Sequence, residues 1–437
     1  MSLLFLTAYT CSGLAGLVYE VSWTRLLTLY IGHTTAAASA VVAAFLGGLA
    51  VGAAGGGVVA ARLRPSTALR VYAGLELVVA LFALALPWEL QALTPLLRWA
   101  YADGAPGWLF PLIRLVSCLA LVFAPAAALG ATFPMAVRWF AHRSTNPARV
   151  SSVLYSVNTV GATAGSLLAG FTLIPSVGIS GTTHMGMLAS ALAAALVGLI
   201  IWRNPDDGTD RTGATPSEAP AQKDPPVSRG KRTTRRADHT PAVFYPWLAA
   251  TMLGLSGFAA LVHEIVWTRI LALVLGPTTY AFSAALAAVV AGIAVGSGVG
   301  AWLVGRLHPA RRPGMLALVL TAGALTIVGT SVLAGSAVPA AVARQVAASP
   351  DSFTALLRQG MLLTASLILP TAVCLGAAFP FALSLAGDPE RSPARQFGVV
   401  YAVNTIGSVA GTLAAGFLLI PALGLPATLS VAAFVLI

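Results

Sequence analysis

Two phrases 244 residues apart in this 437-residue chain are nearly the same, and both are apolar stretches with an acid in the middle. The first is "SGLAGLVYEVSWTRLL" at 12–27 and the second "SGFAALVHEIVWTRIL" at 256–271. From 12 to 35, 14 of 24 positions match, and the same offset pairs Gly32 with Gly276, Gly52 with Gly296 and Arg62 with Arg306. A second block, "YSVNTVGATAGSLLAGFTLIPSVG" at 155–178, returns as "YAVNTIGSVAGTLAAGFLLIPALG" at 401–424, and "GATFP" at 130–134 as "GAAFP" at 376–380. Repetition over such a long period means one structural unit built twice, so whatever one half folds into, the other must match.

The solvent of that unit follows from composition. Apolar residues make up 57% of the chain and charged residues 9%, far below the quarter that soluble domains carry. Apolar runs recur at 3–31, 34–61, 69–88, 108–141, 150–174, 178–202, 245–275, 278–305, 314–334, 356–386, 397–420 and 425–437. Most reach the roughly 20 residues that a spanning helix needs. The expectation is an all-α polytopic membrane protein with about twelve spans, six in residues 1–202 and six in 245–437. An even number of spans per copy gives both copies the same orientation, so the repeats are parallel, as in the major facilitator architecture, and not inverted.

Basic residues test that topology. Arg62, Arg64, Arg70, Arg138, Arg143, Arg149, Arg306, Arg311 and Arg312 fall in the even-numbered connections. The opposite side carries chiefly Arg98, Arg344 and Arg358 beside Glu89, Asp103 and Asp351. The positive-inside rule then puts the N-terminus and the central connection in the cytoplasm. That connection, residues 203–244, is rich in Pro, Thr, Asp and Arg and reads as a disordered basic linker. Its cluster of Arg229, Lys231, Arg232, Arg235 and Arg236 suits topology fixing or lipid headgroups, and no nucleic-acid partner is expected. Membrane lipid is the expected partner.

Few residues carry chemistry. Cys11, Cys118 and Cys374 have no metal-ligand spacing, and neither a metal site nor a cofactor site is expected. Glu20 and Glu264 occupy equivalent places inside spans, where burying a charge costs at least about 2.5 kcal/mol, so both should face protein or a watery cavity. The first helix of each half borders the central axis, so two carboxylates meeting in one cavity suit a cation, a polyamine or a proton. Trp23 and Trp267, at i+3 from each acid, are candidate cation–π partners in the same site. Glu76, whose approximate counterpart is Ala322, is a further candidate for that cavity. Arg25 and Arg269 turn away from the acids and are candidates for structural or gating roles. Asn158-x2-Gly161-x3-Gly165 and Asn404-x2-Gly407-x3-Gly411 each place an amide and two glycines on one helix face, a pattern for close helix packing.

The repeated "SGLAGLVYEVSWTRLL" and "SGFAALVHEIVWTRIL", "GATFP" and the paired "VNT-x-G-x3-G" blocks resemble the membrane portion of the bacterial fused major-facilitator/spermidine-synthase family. The resemblance implies a multi-pass protein of the bacterial cytoplasmic membrane in a polyamine context. It also implies a following synthase-like domain that transfers an aminopropyl group from decarboxylated S-adenosylmethionine to putrescine. No catalytic residue of such a domain is present to be carried over. After Gly424 only 13 residues remain, rising roughly 20 Å, which is short for a hydrocarbon core of about 30 Å. The expectation is therefore a twelfth span cut short, with the native chain continuing beyond Ile437. Two functions stay open: a transporter-like protein that binds or moves a small cationic, polyamine-like solute, and a non-transporting membrane anchor for an aminopropyltransferase.

Overall fold

The computed structural model describes residues 2–32, 34–102, 107, 109–141, 147–203, 246–274, 276, 278–347, 353–386 and 393–437. The basic linker expected at 203–244 lies outside the described residues apart from Arg203. The elements are all helical: α1 (Ser2–Ile31), α2 (Thr35–Arg62), α3 (Pro65–Ala102), α4 (Leu109–Ala141), α5 (Pro147–Leu168), α6 (Ile174–Arg203), α7 (Pro246–Val274), α8 (Thr279–Arg306), α9 (Arg312–Gly335), α10 (Ala337–Ala347), α11 (Phe353–Ala386), α12 (Pro393–Ala414) and α13 (Ile420–Val435). No strand occurs among the described residues.

Ten helical runs among the described residues are long and apolar enough to cross a membrane. Two of them, Ser156–Arg203 and Val400–Val435, are 48 and 36 residues long. At 1.5 Å per residue these lengths far exceed a hydrocarbon core of about 30 Å. Each run is interrupted by a π-helical segment, Ala169–Leu173 or Ala415–Leu419, and then by a glycine with non-helical torsions, Gly178 (φ 72°, ψ 179°) or Gly424 (φ 78°, ψ 175°). Only glycine takes such torsions without strain. The first long run is therefore two spans, and the second, broken at the equivalent glycine, repeats its pattern up to Val435. The short α10 is an addition that hydropathy does not signal.

Small residues decide how the helices meet. Along α5, Asn158, Gly161 and Gly165 lie against Gly13, the Thr10 carbonyl and the Leu14 carbonyl of α1. In the second half, Asn404, Gly407 and Gly411 of α12 lie in the same way against Gly257, the Gly254 carbonyl and the Phe258 carbonyl of α7. Gly52 rests on the Ala127 carbonyl and Gly130 on the Leu49 carbonyl, joining α2 to α4; Gly296 on the Val373 carbonyl and Gly376 on the Ile293 carbonyl join α8 to α11. Lipid provides no hydrophobic drive between helices, so this backbone-to-backbone approach is where association energy is gained. The repeated phrases thus encode the same two helix pairings twice.

The halves then meet by exchanging equivalent elements: α2 packs on α12 and the π-helical segment after it, while α8 packs on α5 and its π-helical segment. Six spans per half make α1 and α7 run in the same direction, so both contacts lie at the end of the bundle that carries the α1–α2 and α7–α8 turns. Those turns contain Gly32 (φ 96°) and Gly276 (φ 87°).

Candidate functional site

Glu20 stands on α1 and Glu264 at the equivalent place on α7. The two carboxyl groups lie within electrostatic reach of each other across the boundary between the halves. Both side chains are half-buried. Among the described residues neither has a hydrogen-bond or ion-pair partner. The two acids keep some exposure at equivalent places in the two halves. Glu20 lies eleven residues before Ile31, or about 16 Å from the end of α1 where the halves touch.

The tryptophans go elsewhere. Trp23 and Trp267 are buried at 1% and 0% exposure, each in the core of its own half. Trp23 stacks on Tyr19 at 5.0 Å, and Trp267 sits 6.3 Å from His263 at the equivalent position. The expectation that their rings line the acids' cavity is corrected. A residue at i+3 is rotated about 60° from the acid, whereas Tyr19 and Trp23 at i, i+4 differ by about 40° and share the inward face.

Glu76 is separate as well. It has zero exposure and is enclosed within the first half by α1, α3 and α6. Its neighbours are the hydroxyl groups of Ser12, Tyr72 and Ser190, not Glu20 or Glu264. Arg25 and Arg269 are half-buried on α1 and α7. Asn158 and Asn404 are held in the α1–α5 and α7–α12 contacts described above, as a packing role requires. No group of three or more metal-ligating side chains occurs among the described residues.

Three features had no sequence signal. Ser39 of α2 and Ser283 of α8, both fully buried, fill the space above Gly416 and Gly170 where the halves close. Phe171 and Tyr280 meet across the same boundary at 5.5 Å. At that end Arg114 of α4 is buried, donates to the Thr34 hydroxyl at 2.6 Å and stacks over Phe110 at 4.4 Å. A side groove of about 340 Å³ between α1, α3 and α6, lined by Leu26, Tyr30, Pro87, Thr183 and His184, contains none of the candidate residues.

No protein-family model matches this chain, and no curated protein does. Solved structures do match, over 99% of its length. A POT family transporter in complex with 5-aminolevulinic acid is 13% identical, with a TM-score of 0.58 and 93% of that chain covered. A bacterial homologue of the iron transporter ferroportin, in an outward-facing state, is 14% identical with a TM-score of 0.54 and 97% covered. The E. coli fucose:proton symporter FucP is 16% identical with a TM-score of 0.51 and 95% covered. The fold is a major-facilitator-like transporter fold. At these identities the likeness establishes architecture alone, and it provides no support for a fused spermidine synthase, which rests on the resemblance of the repeated motifs.

Proposed function

We propose that the chain is a membrane transporter whose Glu20 and Glu264 bind a small cationic solute of the polyamine kind between the two halves. The feature that carries this reading is the pair itself: one acid per half, each in the middle of its helix and without a hydrogen-bond or ion-pair partner among the described residues. A diamine or polyamine holds two ammonium groups a few methylenes apart and answers two separated acids better than a single positive charge does. Hydrogen bonds between charged partners are worth about 1.5–3 kcal/mol each.

The contact of α2 with α12 and of α8 with α5 closes the end bearing the α1–α2 turn, so entry is from the end that carries the N-terminus and the linker. By the positive-inside rule that end is cytoplasmic. A closed interior with the acids bonded to neighbouring side chains would favour the anchor reading; among the described residues neither acid has such a partner. The test is binding of labelled spermidine to the purified chain, competed with diamines, amino acids and sugars. Saturable binding displaced by polyamines alone, and lost in Glu20→Gln/Glu264→Gln, is expected. Binding of no cation, or binding indifferent to both substitutions, overturns the assignment.

A further inference from the structure

We propose that Glu76 is a proton-binding site within the first half, distinct from the solute site. The proposal rests on the transporter reading for its role but not for its existence.

Glu76 is an acid in the middle of α3 with zero exposure, and neither carboxyl oxygen has a hydrogen-bond partner in this conformation. What surrounds it is polar and proton-bearing. Ser12 of α1, Tyr72 of α3 and Ser190 of α6 direct hydroxyl groups toward it, and the oxygens of Tyr72, Ser190 and nearby Tyr19 are themselves buried without partners. Tyr9 and Cys11 of α1 are within its electrostatic reach. No cation is among these neighbours. On α4, Arg114 donates to Thr34 and Arg138 donates to the Leu63 carbonyl, so the arginines of that helix are engaged at the two ends of the bundle.

A carboxylate sealed in this way is untenable as a bare charge, whereas a neutral carboxyl can donate to one hydroxyl and accept from the others. Tyr9 of α1 lies within electrostatic reach of both Glu76 and Tyr401, which is half-buried on α12 of the opposite half. The second half has Ala322 at the approximate counterpart, so a duplicated scaffold carries this acid once. Packing alone does not call for an acid there, since the other half does without it.

Infrared difference spectroscopy on the full chain in nanodiscs tests the site without any solute. In Glu20→Gln/Glu264→Gln, the two shared acids are silent. A protonated-carboxyl stretch that titrates with pH is expected, and it should vanish when Glu76→Gln is added. Glu76→Asp, which keeps the acid, should keep a titrating carboxyl band if the glutamine variant is poorly folded. A carboxyl band unchanged by removing Glu76, or the absence of any band that titrates with pH, overturns the proposal. A titrating band in a chain that moves no solute preserves the proton site and defeats only the transporter reading.

Discussion

A single methyl group at Gly416 or Gly170 should prise the halves apart. A Cβ built at Gly416 falls 2.5 Å from the Cβ of Ser39, closer still to its hydroxyl, and 3.3 Å from the Thr35 carbonyl. At Gly170 it collides with the Cβ and hydroxyl of Ser283 and lies 3.4 Å from the Thr279 carbonyl. Carbon atoms prefer about 3.5–4.0 Å, and both serines are fully buried, with little room to swing away. Overpacking of this kind costs about 1–3 kcal/mol. The methyl clashes only while the halves are closed, so that cost acts on the equilibrium between states: each alanine favours opening by roughly 5- to 150-fold, and the pair together by more. The assay is pulsed electron resonance between labels at Leu29 and Leu273, with Cys11, Cys118 and Cys374 replaced beforehand. A longer second distance should grow from wild type to Gly416→Ala to Gly170→Ala/Gly416→Ala. Ser39→Gly should reverse the effect of Gly416→Ala by removing the group it strikes. Unchanged distances with a lowered melting temperature would refute the reasoning, because the contact would then be fixed scaffold and not a gate.

Other outcomes follow from the same geometry. Gly161→Ala and Gly407→Ala place a methyl on the Thr10 and Gly254 carbonyls inside one half, so each should lower thermal stability by about 1–3 kcal/mol without changing the label separation. Trp23→Phe, which thins a half-core away from the acids, should reduce stability while leaving solute affinity within about twofold. Glu264→Gln alone should weaken polyamine binding by about tenfold or more, and monoamine binding by less, as measured by competition.

The architecture was legible because membranes leave so few choices. Length and hydropathy alone implied twelve spans, and the repeated glycine blocks marked two faces for close packing, whose partners, α1 and α7, emerge only in the folded chain. Trp23 was misplaced because helical spacing permits two assignments: it neighbours Glu20 at i+3 and Tyr19 at i+4, and only tertiary packing ranks them. The isolation of Glu76 was hidden because its hydroxyl neighbours come from three helices distant in sequence. Ser39 and Ser283 were invisible for a simpler reason: a serine in a membrane helix looks the same whether it closes a gate or bonds its own backbone.

Uptake into proteoliposomes addresses the central claim most directly. Labelled spermidine or putrescine should accumulate in vesicles holding the wild-type chain, compete with other polyamines and ignore sugars and neutral amino acids. Glu20→Gln/Glu264→Gln, reconstituted to the same density, should move none. Polyamine uptake that survives loss of both acids, or a folded wild-type chain that neither binds nor moves any cation, contradicts the assignment of these two residues as the solute site.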